Sequence, residues 1–401
     1  MSGPTASEGS RLLEVDALRG FALFGILTVN VWAFASAYFG SGVNDPAFGS
    51  ALDQAVRFIV ALFFETKFYL LFSFLFGYSF TLQMTAAERA GVAFRPRMIR
   101  RQLGLLAIGI AHGTLLFHGD ILSTYAVLGL VLLALRSISP ARAVKSAILL
   151  IALSGVAWIL LGLATIAESA ATDVAAVHAQ ATETTAAFRG SIATVMSEHA
   201  ALLPGTLAFV LLLQGPSAMA MFLLGFAAGR RRLLADVAAL RPRLHRILRV
   251  GLPIGLGGSA VYAYLRVFHP GFDDALFGFG LGIDLLTAPF LTATYVALAL
   301  LAFQRPAGRR VAGILAPAGR SALSNYLLQS LVCGVVFTAY GLGLIGKLPP
   351  LAVLGLVPAI FGAQLALSAW WLRAHPYGPL EWLLRALTIA SRPPWRRRLT
   401  R

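Results

Sequence analysis

From Phe21 to Leu372, uncharged apolar stretches of about 20 residues alternate with short charged connectors. A helix of that length rises far enough to cross roughly 30 Å of hydrocarbon. The runs predict helices near 17–39, 66–86, 100–117, 121–137, 144–166, 205–228, 250–268, 276–303, 321–343 and 350–372, about ten spans in all. Within 53–64, Asp53, Gln54 and Arg57 alternate with Phe58, Ile59, Phe63 and Phe64, the pattern of a helix lying in an interface. The Ala- and Thr-rich segment 167–204 predicts an extracytoplasmic loop or amphipathic helix, and 376–401 a short amphipathic helix followed by a basic tail. The fold class expected is an all-α polytopic transmembrane bundle, one integral membrane domain over residues 1–401.

Composition agrees, because 58% of the 401 residues are hydrophobic and 12% charged, against roughly 25% charged in a soluble domain. Too little polar surface remains to cover a soluble core of this size. The formal charge of +16 does not predict a nucleic-acid partner, since the cations sit in short connectors. One set of connectors carries Arg95 to Arg101, Arg136 to Lys145, Arg230 to Arg249 and Arg305 to Arg320; the alternate set carries Asp45 and Asp53, His118 and Asp120, Glu168 to Glu198, and Asp273 and Asp274. By the positive-inside rule the first set, with both termini, is cytoplasmic. The tail from Arg392 to Arg401 is expected against anionic lipid headgroups. Met1 to Ser10 lacks a basic cluster, so the first apolar run reads as a retained helix. The single cysteine, Cys333, excludes an internal disulfide. No His/Asp/Glu spacing makes a metal site, and Gly341-x-Gly343-x-x-Gly346 follows no strand, so it is no dinucleotide fingerprint. Glycine pairs four apart, such as Gly109/Gly113 and Gly225/Gly229, predict close helix packing. A homo-oligomer is left open.

Ionisable groups inside spans are expensive and therefore the candidates for chemistry. His112 lies in the third span and suits proton transfer near neutral pH, although an intramembrane histidine also serves packing. Asp120 follows in the next connector beside His118, with Gly119 between them as a bend. Asp284 has no nearby cation in sequence and needs a partner from another helix or a proton. Glu65 and Lys67 read as a snorkelling pair, Glu381 and Arg385 as a structural pair, and the adjacent Asp273 and Asp274 as solvated. Asp16 and Arg19 share one helix face, where they either anchor the first helix or bind substrate. Arg320 precedes a polar patch of Ser321, Ser324, Asn325, Tyr326 and Gln329, and Asn30 sits deep in the first span.

Together Arg11-Leu-x-x-x-Asp16-Ala-Leu-Arg19-Gly20, Leu71-Phe-Ser-Phe-Leu-Phe-Gly77, Gly109-x-x-His112, Gly119-Asp120-Ile-Leu-x-x-Tyr125, Gly319-Arg320-x-x-Leu-x-Asn325-Tyr326-x-x-Gln329-Ser330 and Gly378-Pro-Leu-Glu381-Trp382-x-x-Arg385 resemble the YeiB-type bacterial inner-membrane proteins along nearly the whole chain. Through Asp16-x-x-Arg19-Gly20 the family is distantly similar to the membrane acyltransferases that include the heparan-alpha-glucosaminide N-acetyltransferases and sugar O-acyltransferases. Where the O-acyltransferases carry a catalytic histidine, this chain has Asn30, and residues 40–54 contain no histidine, so His112 would have to serve. The resemblance implies transfer of an acyl group from cytoplasmic acyl-CoA, a co-substrate rather than a tightly bound cofactor, to an extracytoplasmic or lipid-linked acceptor. His112, Asp120 and Asn30 are the catalytic candidates; Asp16, Arg19, Arg320, Asn325, Tyr326 and Gln329 are the binding candidates. The rival expectations are a transporter or lipid-handling protein using His112, Asp120 and Asp284 as a proton or substrate path, and a non-catalytic scaffold.

Overall fold

The computed structural model describes residues 6–168, 173–269 and 275–397, and among these every regular element is helical. Helix α1 (Ala6–Ala35) is the hub of the bundle: Leu18, Leu23 and Val31 are fully buried, and α3 (Lys67–Arg89), α12 (Pro306–Arg320), α13 (Ala322–Phe337) and α14 (Pro350–Ala374) all pack on it. Two antiparallel pairs flank this hub, α4 (Phe94–Leu115) with α5 (Leu122–Ala134) and α10 (Val237–Phe268) with α11 (Ala275–Phe303). Helix α6 (Pro140–Glu168) leans on α9 (Gly215–Arg230) and α11. Its other face exposes Ile148, Leu149, Leu153 and Leu160, the last 58% exposed. A stripe of that size is unfavourable in water and matched by lipid.

Among the described residues, six helical stretches are long and apolar enough to cross a membrane: Leu13–Ala35, Ala51–Arg89, Pro140–Ala164, Ile192–Arg230, Leu276–Phe303 and Pro350–Ala374. Each of the ten apolar runs read from the sequence holds a helix, but α5 and α13 are short, the latter ending at Phe337, and α4 and α10 spend their first turns on arginines. The interfacial segment is helix α2 (Ala51–Phe63), started by a capping box in which Ser50 Oγ accepts from the Asp53 N–H and Asp53 Oδ2 from the Ser50 N–H.

One connector departs from the expected organisation, and the segment after 173 is helical. The arginine-rich connector 304–320 is not a simple loop: Pro306 starts α12, which turns Ala312, Ala316 and Gly319 onto α1 while Arg309 and Arg310 face outward. The contact is so close that a Cβ on Gly319 would lie 1.8 Å from the Asp16 carbonyl oxygen, so only glycine fits there. The segment after 173 forms two helices, α7 (Val174–Gly190) and α8 (Ile192–Phe209), and α8 runs through a π-helical turn at Val210–Gln214 into α9. Phe188 of α7 accepts a backbone hydrogen bond from Ala339, and Arg189 binds the Ile345 carbonyl, so α7 and α8 close the end of the bundle opposite the arginine-rich connectors. Asp273 and Asp274 lie outside the described residues, as does the tail beyond Arg397.

Candidate functional site

His112 is held from both sides inside the bundle. Its Nδ1 lies 2.8 Å from Asp120 Oδ1 and its Nε2 2.9 Å from Ser330 Oγ. The three residues are only 2%, 0% and 3% exposed. Asp120 sits just before α5, where its second oxygen accepts the Ser123 N–H at 2.8 Å and so satisfies one of that helix's free donors. With Asp120 as a carboxylate, which only accepts, His112 donates to it from Nδ1, and Nε2 faces the Ser330 hydroxyl. The arrangement needs α4 and the 116–121 connector to touch. Gly109 permits it, because a Cβ there would stand 2.7 Å from Asp120 Oδ2 and 2.5 Å from Ser123 Oγ.

Around this relay the polar groups are unusually short of partners. The Tyr326 ring lies 5.1 Å from the imidazole, and its hydroxyl lies near Asp120 and the Ile121 backbone without a hydrogen bond of good geometry. Ser123 Oγ and Thr124 Oγ1 are likewise buried and unpartnered. Buried donors left unmet cost about 1–3 kcal/mol each, and such a cluster marks a place where a further polar group is accommodated.

His118 does not converge with Asp120 at a Gly119 bend. Its ring turns to His199, Nδ1 to Nδ1 3.3 Å, and stacks on Phe188. Desolvation in this aromatic wall lowers the His118 pKa to about 4. The unfolded chain takes up a proton near pH 6.5 while the folded one resists it to about pH 4. The stabilisation is therefore complete above pH 6.5 and is lost as pH falls through that window. Melting in lipid nanodiscs should show a midpoint that drops between pH 7 and 4.5, with a shallower drop in His118→Asn; equal slopes would refute this assignment.

A second polar centre contradicts the snorkelling pair expected of Glu65 and Lys67. Lys67 does not reach an interface: it is 0% exposed, with Nζ 2.9 Å from Asp284 Oδ1 and 3.1 Å from the Ala61 carbonyl. Ser259 also donates to Asp284 Oδ1, at 3.0 Å. Glu65 turns away to accept from Tyr262 at 2.6 Å, with Arg266 at 3.8 Å. Thus Asp284 finds its cation on α3, and among the described residues no hydrogen bond links it to His112.

At the arginine-rich end, Arg19 pairs with Asp16 at 2.6 Å and donates to Ser79 at 2.5 Å. Arg101 lies in the field of Arg19, Arg385 and Glu381, with its Nε buried and unpartnered. Exposed Arg320 donates to the Pro376 carbonyl at 3.4 Å and lies in the field of Asp16. Glu381 does not pair with Arg385. It accepts from the Leu323 and Ser324 amides and the Ser324 hydroxyl, capping the start of α13, while Arg385 lies over the Tyr377 ring. Burial raises the Glu381 pKa against these hydrogen bonds. Asn325 and Gln329 point inward: Asn325 donates to Ser368 at 2.8 Å and Gln329 to Gln364 at 3.0 Å, tying α13 to α14. The patch thus divides into Tyr326 beside His112 and two amides that bond helices. Asn30 stands half-buried on α1, and no hydrogen bond of its side chain reaches the His112 relay.

In the sequence Ser330 is only the last residue of the Gly319 to Ser330 motif. Its hydroxyl looks like ordinary helix polarity until α13 is set against α4, and no local signal singles it out. Among the described residues no group of His, Cys, Asp and Glu is arranged to hold a metal ion.

A lipid-facing helical exterior around an internal Asp–His–Ser relay defines a polytopic membrane protein with an enclosed polar site. Residues 228–391 match the family described as protein of unknown function (DUF418). Across 96% of both chains the protein is 33% identical to the uncharacterized protein YxaH of Bacillus subtilis (strain 168). It is 28% identical to the uncharacterized protein YeiB of Escherichia coli (strain K12), over 96% of this chain and 98% of that one. The chain belongs to this YeiB-type family of membrane proteins.

Proposed function

We propose that the protein is a transmembrane acyltransferase of the inner (plasma) membrane, moving an acyl group from cytoplasmic acyl-CoA to an extracytoplasmic or lipid-linked acceptor. The observation that carries this reading is the 2.8 Å contact of His112 Nδ1 with the buried Asp120 carboxylate, which leaves Nε2 to act as a general base in the buried core. A packing histidine needs no carboxylate behind it, and a carboxylate is costly at that depth. Arg101, with its unpartnered Nε, and exposed Arg320 are the groups that would receive the phosphates of the donor. Tyr326 and the Ser123 hydroxyl supply unmet hydrogen-bonding groups beside the relay.

The test is release of free CoA thiol from acyl-CoA by the purified protein in nanodiscs. His112→Ala should slow it by about 10²- to 10⁴-fold, the usual contribution of a positioned general base. Failure to bind or consume acyl-CoA, or full turnover without His112, would defeat the reading.

A further inference from the structure

We infer that Ser330 is the nucleophile of this site and carries the acyl group as a covalent ester between donor and acceptor. The inference rests on the acyltransferase reading for the identity of the group carried. The nucleophile itself stands on geometry alone: Asp120, His112 and Ser330 form a continuous chain, with the serine hydroxyl 2.9 Å from Nε2, the imidazole nitrogen that Asp120 does not engage.

Two observations separate this arrangement from helix packing. A buried serine on a helix ordinarily satisfies itself on a carbonyl one turn back, as Ser154 does on Leu150 at 2.7 Å and Ser321 on Pro317 at 2.9 Å. Ser330 stands 3.5 Å from the Tyr326 carbonyl and makes its close contact to His112 instead. Secondly, Tyr326, one turn before Ser330, sets its ring 5.1 Å from the same imidazole and keeps its hydroxyl buried without a hydrogen-bond partner of good geometry. That hydroxyl is a donor available to an oxyanion.

The chemistry balances without any further reagent. His112 Nε2 takes the Ser330 proton as Oγ attacks the thioester carbonyl, and the Tyr326 hydroxyl donates to the oxyanion. The tetrahedral centre collapses with loss of the CoA thiolate, which takes the proton from His112. An acceptor hydroxyl, its proton drawn by His112 in turn, attacks the Ser330 ester and leaves with the acyl group, returning the proton to Ser330. Asp120 stabilises the imidazolium in both halves.

The experiment treats the full-length protein in nanodiscs with an alkyl fluorophosphonate, which phosphonylates an activated serine with loss of fluoride and needs no acyl-CoA. Peptide mass spectrometry should find the phosphonyl group on Ser330. Labelling should vanish in Ser330→Ala and slow at least 100-fold in His112→Ala. Incubation with acyl-CoA should add one acyl mass to the same peptide. Ser330→Cys, which keeps a nucleophile of similar size, should trap a thioester and so provides a folded variant if the alanine protein is unstable. Thiol release at the wild-type rate in Ser330→Ala, or an acyl group on another residue, overturns the serine carrier and leaves the acyltransferase standing. Labelled Ser330 in a protein that never consumes acyl-CoA supports the nucleophile and overturns the donor. Absence of both the label and the acyl adduct overturns the inference.

Discussion

Lys67→Met, with Asp284 left in place, should lower stability by about 3–5 kcal/mol, the typical result of leaving one buried charge uncompensated. The pair is fully enclosed, and the second Asp284 oxygen already lacks a hydrogen-bond partner, so the orphaned carboxylate would keep the neutral Ser259 hydroxyl but lose its cation. Methionine keeps the length of the lysine stem, which limits the packing change. Lys67→Met combined with Asp284→Leu removes both charges and should recover most of the loss, because an apolar pair of similar volume is neutral or better in such sites. Denaturant titration in mixed micelles would measure both. A double variant no more stable than the single one would show that the damage comes from packing around Ala61 and Ser259 and not from charge.

Asp120→Asn should abolish nearly all activity while leaving the fold intact. The asparagine oxygen can still accept the Ser123 amide, but its NH₂ group would donate to His112 Nδ1. His112 would then carry its proton on Nε2, facing Ser330, and could no longer accept from the hydroxyl. In the soluble Ser-His-Asp enzymes this change of tautomer costs about 10⁴ in rate, and a loss of 10³ or more is expected here. The check is thiol release from acyl-CoA alongside melting temperature. Turnover within about tenfold of wild type would mean that the proton is not moved through Nε2.

The interior polar groups divide into those whose role is visible locally and those whose role is not. Glu381 was legible as a residue of a short terminal helix, yet the i, i+4 spacing pointed to Arg385, whereas the carboxylate caps α13 from another helix. The α12 helix escaped notice because four arginines in its connector outweighed a small-residue stripe of Ala312, Ala316 and Gly319, which becomes meaningful only against α1. Asn325 and Gln329 stand four apart and so share one helix face, but spacing could not say whether that face met a ligand or α14.

What the chain determines by itself is its solvent and its helices. A run of about 20 apolar residues must be satisfied by its own backbone hydrogen bonds in lipid, so each such run is helical wherever it is placed. The identity of the candidate centre was decided only by the tertiary structure. His112 meets Ser330 across 218 residues, and Lys67 meets Asp284 from a different helix. Helical periodicity specifies which residues share a face, whereas the neighbour of that face depends on how small residues let particular helices approach.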